Sequence, residues 1–293
     1  MNNQQRSYFF AGLTILCWVT VPTAFKIALR YQDNFQLLLI AAFVSMLIFG
    51  GVLVVRGQWK NVFSLTIKEY LFSAMLGFLN PFSYYLILFK AYSILPGQVA
   101  QPLNMIWPIV LVLISIPLLK QKISIRSILA LLISFSGVFF ISSQGGIGNF
   151  NTDQIPGVLM ALGSSVIWAF YWVLNVKDKK DEVLKLFLNF FFGFLFLVLC
   201  IPVMHISLPS APEAWLTGIY VGIFEMGIAF IFWMKALQLT KSTDKISNLI
   251  YISPFLSLFF IHYIAGEKIY YTTPIGLILV VAGIIFQKIK EKG

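Results

Sequence analysis

Glu225 is the residue with the most chemistry to offer. It lies near the middle of an apolar run from Ala214 to Met234, and no other acidic residue of the 293-residue chain is deep inside an apolar segment. The other ten acids fall in loops, tails or segment ends. An ionised side chain at the centre of a bilayer costs on the order of 3 kcal/mol, so a carboxyl group there must face a cavity or a partner. It can bind the amino group of a small molecule, carry a proton, or bridge two helices in its protonated form. Helical spacing puts Gly218, Gly222 and Ala229 beside it on one small-residue face. An earlier segment repeats the pattern as Ser73, Gly77, Asn80 and Tyr84, with Asn80 where the acid stands. A Glu and an Asn are therefore expected to face the centre from related helices.

Aromatic and amide side chains supply the rest. Ser164, Ser165, Trp168, Trp172 and Asn175 recur at spacings of three and four and share one side of a helix, with Tyr171 beside them. The first segment offers Thr14, Trp18 and Thr23 more loosely. Aromatics in such segments often do no more than pack, but Ser, Trp and Asn on one face favour a cavity lining. Gln98, Gln101, Asn104 and Pro108 share another face, with Trp107 adjacent, and Asn248, Tyr251 and Pro254 form a later set. Amides in lipid must be paired, so they face protein or water. Pro108 and Pro254 each free a backbone carbonyl, and a kink at either is a candidate hinge. The expected substrate-binding set is Glu225, Asn80, Tyr84, Trp18, Gln101, Asn104, Trp107, Ser165, Trp168, Trp172, Asn248 and Tyr251.

Other chemistries lack their residues. Cys17 and Cys200 lie inside apolar runs, where they act as small fillers, and His205 and His262 are far apart near segment ends. Without CxxC, HExxH or a His-rich tract, neither a metal nor another cofactor is expected. There is no GxxxxGK(S/T) loop for nucleotide-driven work. A serine protease would need a base near Ser164 or Ser165, and an aspartyl protease a second deep acid; the sequence offers neither. An enzyme is not expected.

The elements that must position these residues are membrane spans. The chain is 59% apolar and 11% charged, against roughly 25% charged in an average soluble domain. Apolar windows predict ten helices, over 8–29, 35–55, 70–90, 97–119, 125–143, 156–176, 186–204, 214–235, 246–264 and 273–288. Their apolarity is continuous rather than alternating, which excludes a barrel. The first window lacks a small-x-small cleavage site and contains Trp18, Pro22 and Lys26, so it is expected to be a retained helix. With a cytoplasmic N-terminus, sixteen of the 21 Lys and Arg fall on the cytoplasmic side, and both termini lie there. The net charge of +10 thus reflects topology rather than a nucleic-acid partner. Lys26, Lys90 and Lys235 are expected to snorkel to the headgroups, and the Lys177–Lys185 run to be a solvated loop.

A shift of 145 residues lays Gly77 on Gly222, Asn80 on Glu225 and Lys90-Ala91 on Lys235-Ala236. After a one-residue slip Pro108 falls on Pro254, Lys122 on Lys268 and Gly137 on Gly283; at a shift of 150 Trp18 falls on Trp168. Two units are expected, 1–145 and 146–293, with five helices each. Five is odd, so the second unit sits inverted relative to the first, as in many secondary transporters.

Two five-helix units, a Trp near the middle of the first helix of each, and Gly266-Glu267 before a last helix with Gly276 and Gly283 resemble the drug/metabolite transporter superfamily of EamA type. The first unit departs from the Gly-Glu pair, carrying Lys120-Gln121 in its place. The resemblance covers nearly the whole chain. It implies secondary transport of a small metabolite, often an amino acid, through a cavity between the repeats of a bacterial inner-membrane protein. The partners implied are that small molecule, the bilayer and, on one reading of Glu225, protons; a monomer would suffice. A passive channel is the main alternative and an intramembrane enzyme a weaker one. Channels tend towards symmetric oligomers or carbonyl-lined filters, which the repeat argues against.

Overall fold

The structure is a computed structural model that describes residues 1–107, 109–110, 113–114, 125–146, 152–240, 246 and 249–288. All its described elements are helical. We label the α-helices α1 (Asn3–Ala28), α2 (Asn34–Val55), α3 (Ile67–Gly77), α4 (Tyr84–Ile94), α5 (Gly97–Asn104), α6 (Ile125–Ser142), α7 (Ile155–Lys177), α8 (Glu182–Met204), α9 (Pro212–Val221), α10 (Ile228–Leu239), α11 (Ser253–Tyr263) and α12 (Thr272–Lys288). Short π-helical segments, Phe78–Ser83 and Gly222–Gly227, join α3 to α4 and α9 to α10.

Local sequence explains where several helices begin. Asn2 with Gln5, Asp33 with Gln36, and Thr66 with Glu69 form reciprocal capping boxes at α1, α2 and α3. Asp181 caps α8 by accepting from the amides of Val183 and Leu184. Each box satisfies amides that a helix start leaves unpaired.

Six helical stretches are long and apolar enough to cross a membrane: Asn3–Ala28, Asn34–Val55, Ile67–Ile94, Thr152–Asn175, Glu182–Met204 and Pro212–Leu239. They match the first, second, third, sixth, seventh and eighth expected spans. Shorter apolar helices over Ile128–Ser142, Ile250–Tyr263 and Thr272–Phe286 stand where the fifth, ninth and tenth were expected. The fourth falls on α5 and on residues mostly outside those described. Large apolar side chains such as Leu16, 65% exposed, and Val203, 78% exposed, point outward as a lipid-facing surface requires.

Glycines let the helices approach closely. α6 packs on α12, and a Cβ on Gly276 would lie 2.7 Å from Ile141 Cγ1, one on Gly137 2.9 Å from Val280 Cγ2. α8 packs on α3 and the first π segment, where a Cβ on Gly193 would lie 2.6 Å from Pro81 Cδ. α2 packs on α9 and the second π segment, where Cβ atoms on Gly218 and Gly222 would lie 2.8 and 2.7 Å from Ile40 and Val44. α1 packs on α10 and α11, while α4 and α5 pack on α7. Small residues at such contacts are how helices associate in lipid, where the solvent gives little drive.

Three sequence expectations change here. Gly218 and Gly222 face α2, and Gly77 faces α8, so neither glycine row lines the centre with Glu225 or Tyr84. The wider turn of a π segment rotates later side chains away from the face that α-helical spacing assigns them. Lys26 does not snorkel, because its ammonium donates to the carbonyls of Tyr92 and Leu95 at 2.9 Å each. The Lys177–Lys185 run is not wholly solvated: Lys180 pairs with Asp178 at 2.9 Å with both side chains nearly buried.

Glycine at position 276 should therefore be essential to the α6–α12 contact. Gly276→Val is expected to cost about 2–3 kcal/mol, seen as a lowered Tm of the detergent-solubilised protein. Gly12→Ala, where a Cβ meets nothing within 4 Å, should stay within about 0.5 kcal/mol. Equal losses in both variants would refute the packing account.

Candidate functional site

Glu225 sits in the second π segment and Tyr85 in the first turn of α4. The Tyr85 hydroxyl donates to Glu225 Oε1 at 3.0 Å across a sequence separation of 140 residues. Tyr85 is completely buried, so its hydroxyl needs that acceptor. The Glu225 backbone carbonyl, in the distorted segment, accepts from Trp18 Nε1 at 3.3 Å. Side chain and backbone of the one deep acid are thus held by residues far from it in the chain.

Aromatic rings surround this pair. Tyr85 packs edge-on to Tyr84 with centroids 4.6 Å apart, and Tyr84 stacks on Trp168 at 4.5 Å. Trp168 stacks on Tyr171 at 5.7 Å and meets Trp172 edge-on at 5.6 Å. Phe230 of α10 lies 6.1 Å from Trp168 and 6.4 Å from Trp18, and Trp18 lies 5.8 Å from Trp233. The rings come from α1, α4, α7 and α10. A carboxyl group beside a cluster of rings suits an ammonium group, which an acid pairs and ring quadrupoles attract.

A second polar chain leads away from the rings. The Tyr84 hydroxyl donates to Asn104 Oδ1 at 3.1 Å, and Asn104 Nδ2 donates to Ser164 Oγ at 2.9 Å. Ser164 in turn donates to the Ala161 carbonyl at 2.7 Å. One chain of hydrogen bonds therefore ties α4, α5 and α7 together.

The remaining expected residues are placed as follows. Asn80 is completely buried in the first π segment and adjoins the Tyr171 hydroxyl without a well-formed hydrogen bond to it. That hydroxyl accepts from Asn175 Nδ2 at 3.1 Å and Asn189 Nδ2 at 3.3 Å. Asn80 therefore belongs to an amide cluster with α7 and α8. Ser165 donates to the Leu162 carbonyl of its own helix at 2.6 Å. Gln101 accepts from Ser257 of α11. Trp107 is half-buried against the apolar core, and Tyr251 is buried in a 3₁₀ turn over Ile250–Ile252. Gln98 is bound at the chain end near Lys268 rather than at the rings. Pro254 occupies the first turn of α11, where a missing amide costs no helix bond. Pro108 and Asn248 lie outside the described residues. Among the described residues no group of His, Cys, Asp or Glu could hold a metal ion.

Tyr85, Phe230 and Trp233 were not among the expected site residues. Tyr85 carried a usable signal, since a tyrosine hydroxyl at membrane depth needs a partner and one deep acid was available. A separate groove of about 310 Å³ is lined mainly by apolar side chains such as Val99, Phe135, Phe139 and Leu159, with Ser142 and Gln154.

The chain matches the EamA-like transporter family model twice, over residues 5–143 and 155–287. It is similar to an uncharacterized transporter of Archaeoglobus fulgidus, 25% identical over 98% of each chain. It is also similar to an aromatic amino acid exporter, YddG, of Ancylobacter novellus, 26% identical over 60% of this chain and 61% of the relative. A solved crystal structure of a protein 20% identical in sequence superimposes with a TM-score of 0.66 over 96% of both chains.

If the Tyr85–Glu225 bond holds the two segments together, a double-mutant cycle of Tyr85→Phe and Glu225→Met in thermal unfolding should show coupling of about 1–2 kcal/mol. Simple additivity of the two losses would remove the bond from the fold's support.

Proposed function

The chain belongs to the EamA-like transporter family, and from that premise we propose a secondary transporter that moves an amino acid or related amine-bearing metabolite through the aromatic cage. It is a multi-pass membrane transporter, not an enzyme. The carrying observation is Glu225, its side chain held by Tyr85 at 3.0 Å and its backbone by Trp18, beside a cluster that includes the Tyr84, Trp168 and Phe230 rings. The acid binds the substrate's ammonium group and the ring faces hold its side chain. The name of the Ancylobacter relative, an aromatic amino acid exporter, supports this class of solute.

The mechanism proposed is alternating access between two repeats, 1–145 and 146–293, inverted relative to each other. Two separate family-model matches support the division. So does the pairing of helices, which comes in equivalent sets. α1 packs on α10 as α7 packs on α4, and α1 on α11 as α7 on α5. α2 meets the second π segment as α8 meets the first. Ten spans, counted as in the sequence, give both termini one side, and the placement of Lys and Arg makes it the cytoplasm. A bacterial inner membrane is the proposed setting. Asn80, Gln101, Asn104, Trp107, Ser165, Trp172, Asn248 and Tyr251 are proposed to meet the substrate at stages of the cycle, with movement about Pro108 and Pro254. Glu225 exchanges a proton for the ammonium group, which couples transport to a proton gradient. The acid and the rings come from one chain, so a monomer is sufficient.

The test is counterflow in proteoliposomes preloaded with pooled amino acids, polyamines or nucleobases. A labelled amino acid should accumulate transiently, and Glu225→Gln should abolish transport or its pH dependence while the protein stays folded. Wild-type rates and pH dependence in that variant would remove Glu225 from the mechanism. Solute flow without exchange would favour a channel.

A further inference from the structure

Far from the cage, one end of the molecule is closed by contacts that join the two halves at a single turn. Glu267 Oε1 accepts from the backbone amide of Gly97 at 3.0 Å, and Glu267 Oε2 lies 3.5 Å from that of Gln98. Gly97 is the first residue of α5, so the carboxylate sits where free amides and the helix dipole favour an anion. Lys26 lies 3.7 Å from the same carboxylate while holding the carbonyls of Tyr92 and Leu95. Arg30 donates to the Ala265 carbonyl at 2.6 Å. Gln98 donates to the Lys268 carbonyl at 2.5 Å and accepts from Thr273 Oγ1 at 2.8 Å. Apart from the Lys26 bonds to Tyr92 and Leu95, each of these contacts joins residues 26–98 to residues 265–273.

The repeat-related positions do not carry the charges of this lock. In the repeat register Gln121 takes the place of Glu267, and Val176 the place of Lys26. Neither side chain is charged, so neither an ion pair nor an anion at a helix start can form from them. The Lys26 and Glu267 side chains are only 21% and 15% exposed. Partial exclusion of water makes such a pair stronger than one on an open surface.

We propose that Glu267 and Lys26 are positioning residues of the transport cycle: they fasten the outer end and set the resting carrier to open towards the cytoplasm. The inference rests on the carrier reading above, and names the side from which the empty cage is reached. The ion pair and the anion at the helix start that fasten this end have uncharged counterparts in the repeat register, and that difference biases the equilibrium between two otherwise similar packings.

The test uses labelling rather than transport, so it needs no substrate and can fail independently of the transport assignment. Cys17 and Cys200 are first replaced by Ala. Thr23→Cys then reports on the outer end, being buried on α1 between Trp18 and Lys26. Ser7→Cys reports on the inner end; Ser7 is buried there and donates to the Ala236 carbonyl at 2.7 Å. A membrane-impermeant maleimide is applied from each side of oriented vesicles. Glu267→Gln, and separately Lys26→Met, should raise outer labelling of the Thr23→Cys reporter about tenfold and lower inner labelling of the Ser7→Cys reporter. Folding is checked by an unchanged elution profile and Tm. Unchanged labelling in both folded variants, an equal rise at both ends, or a rise of the Thr23→Cys reporter only from the cytoplasmic side would each overturn the proposal. Should Glu267→Gln fail to fold, Lys26→Met alone decides by the same outcomes.

Discussion

A carboxyl group at membrane depth needs a partner, and much of this architecture follows from meeting that need. Glu225 meets Tyr85 from a π segment that interrupts the helix carrying it. A break in lipid exposes backbone carbonyls, which must find donors of their own. Trp18 supplies one at Glu225, and Ser45 of α2 supplies another by donating to the Gly222 carbonyl at 2.8 Å. The break also has to sit close against α2, which glycines at 218, 222 and 227 permit. Acid, break, donors and glycines form one linked set, and a change in any of them strains the rest.

The same logic, without the acid, governs the other half. The first π segment packs on α8 through Gly77 and Gly193, and its Asn80 joins the amides around Tyr171. A neutral amide costs less to bury without a well-formed bond than a carboxylate does. Asn80 therefore stays beside Tyr171, whereas Glu225 takes a donor 140 residues away in the chain. Aromatic rings fill the space between, because they bury large areas and still offer polar edges to the few hydrogen-bonding groups present.

Long spans were easily read from the sequence, since about twenty apolar residues in a row dominate any competing signal. The expected span 35–55 became Asn34–Val55, and 156–176 became Ile155–Lys177. Glu225, Trp18, Trp168 and Tyr84 were also legible, because a lone acid or a repeated Trp stands out against aliphatic residues. The π segments were not: Phe78–Ser83 and Gly222–Gly227 are mostly apolar and keep the composition of a helix. Missing them misdirected the glycine faces, since α-helical spacing no longer holds past an inserted residue. Lys26 was misjudged for a different reason. A lysine near a span end reaches headgroups or carbonyls equally well, and only the chain's return at Tyr92 and Leu95 decides between them.

The unequal pair at the two helix breaks has a consequence for stoichiometry. Under the proposed proton coupling, an acid at both breaks could hold two protons in the membrane at once; here one break has Asn80 and the other Glu225. A single carboxyl group carries at most one proton per turnover. For a gradient-driven carrier this caps the steepness of the solute gradient it can sustain at what one proton's descent supplies. A measured ratio above one proton per substrate would require a second titrating group outside the cage.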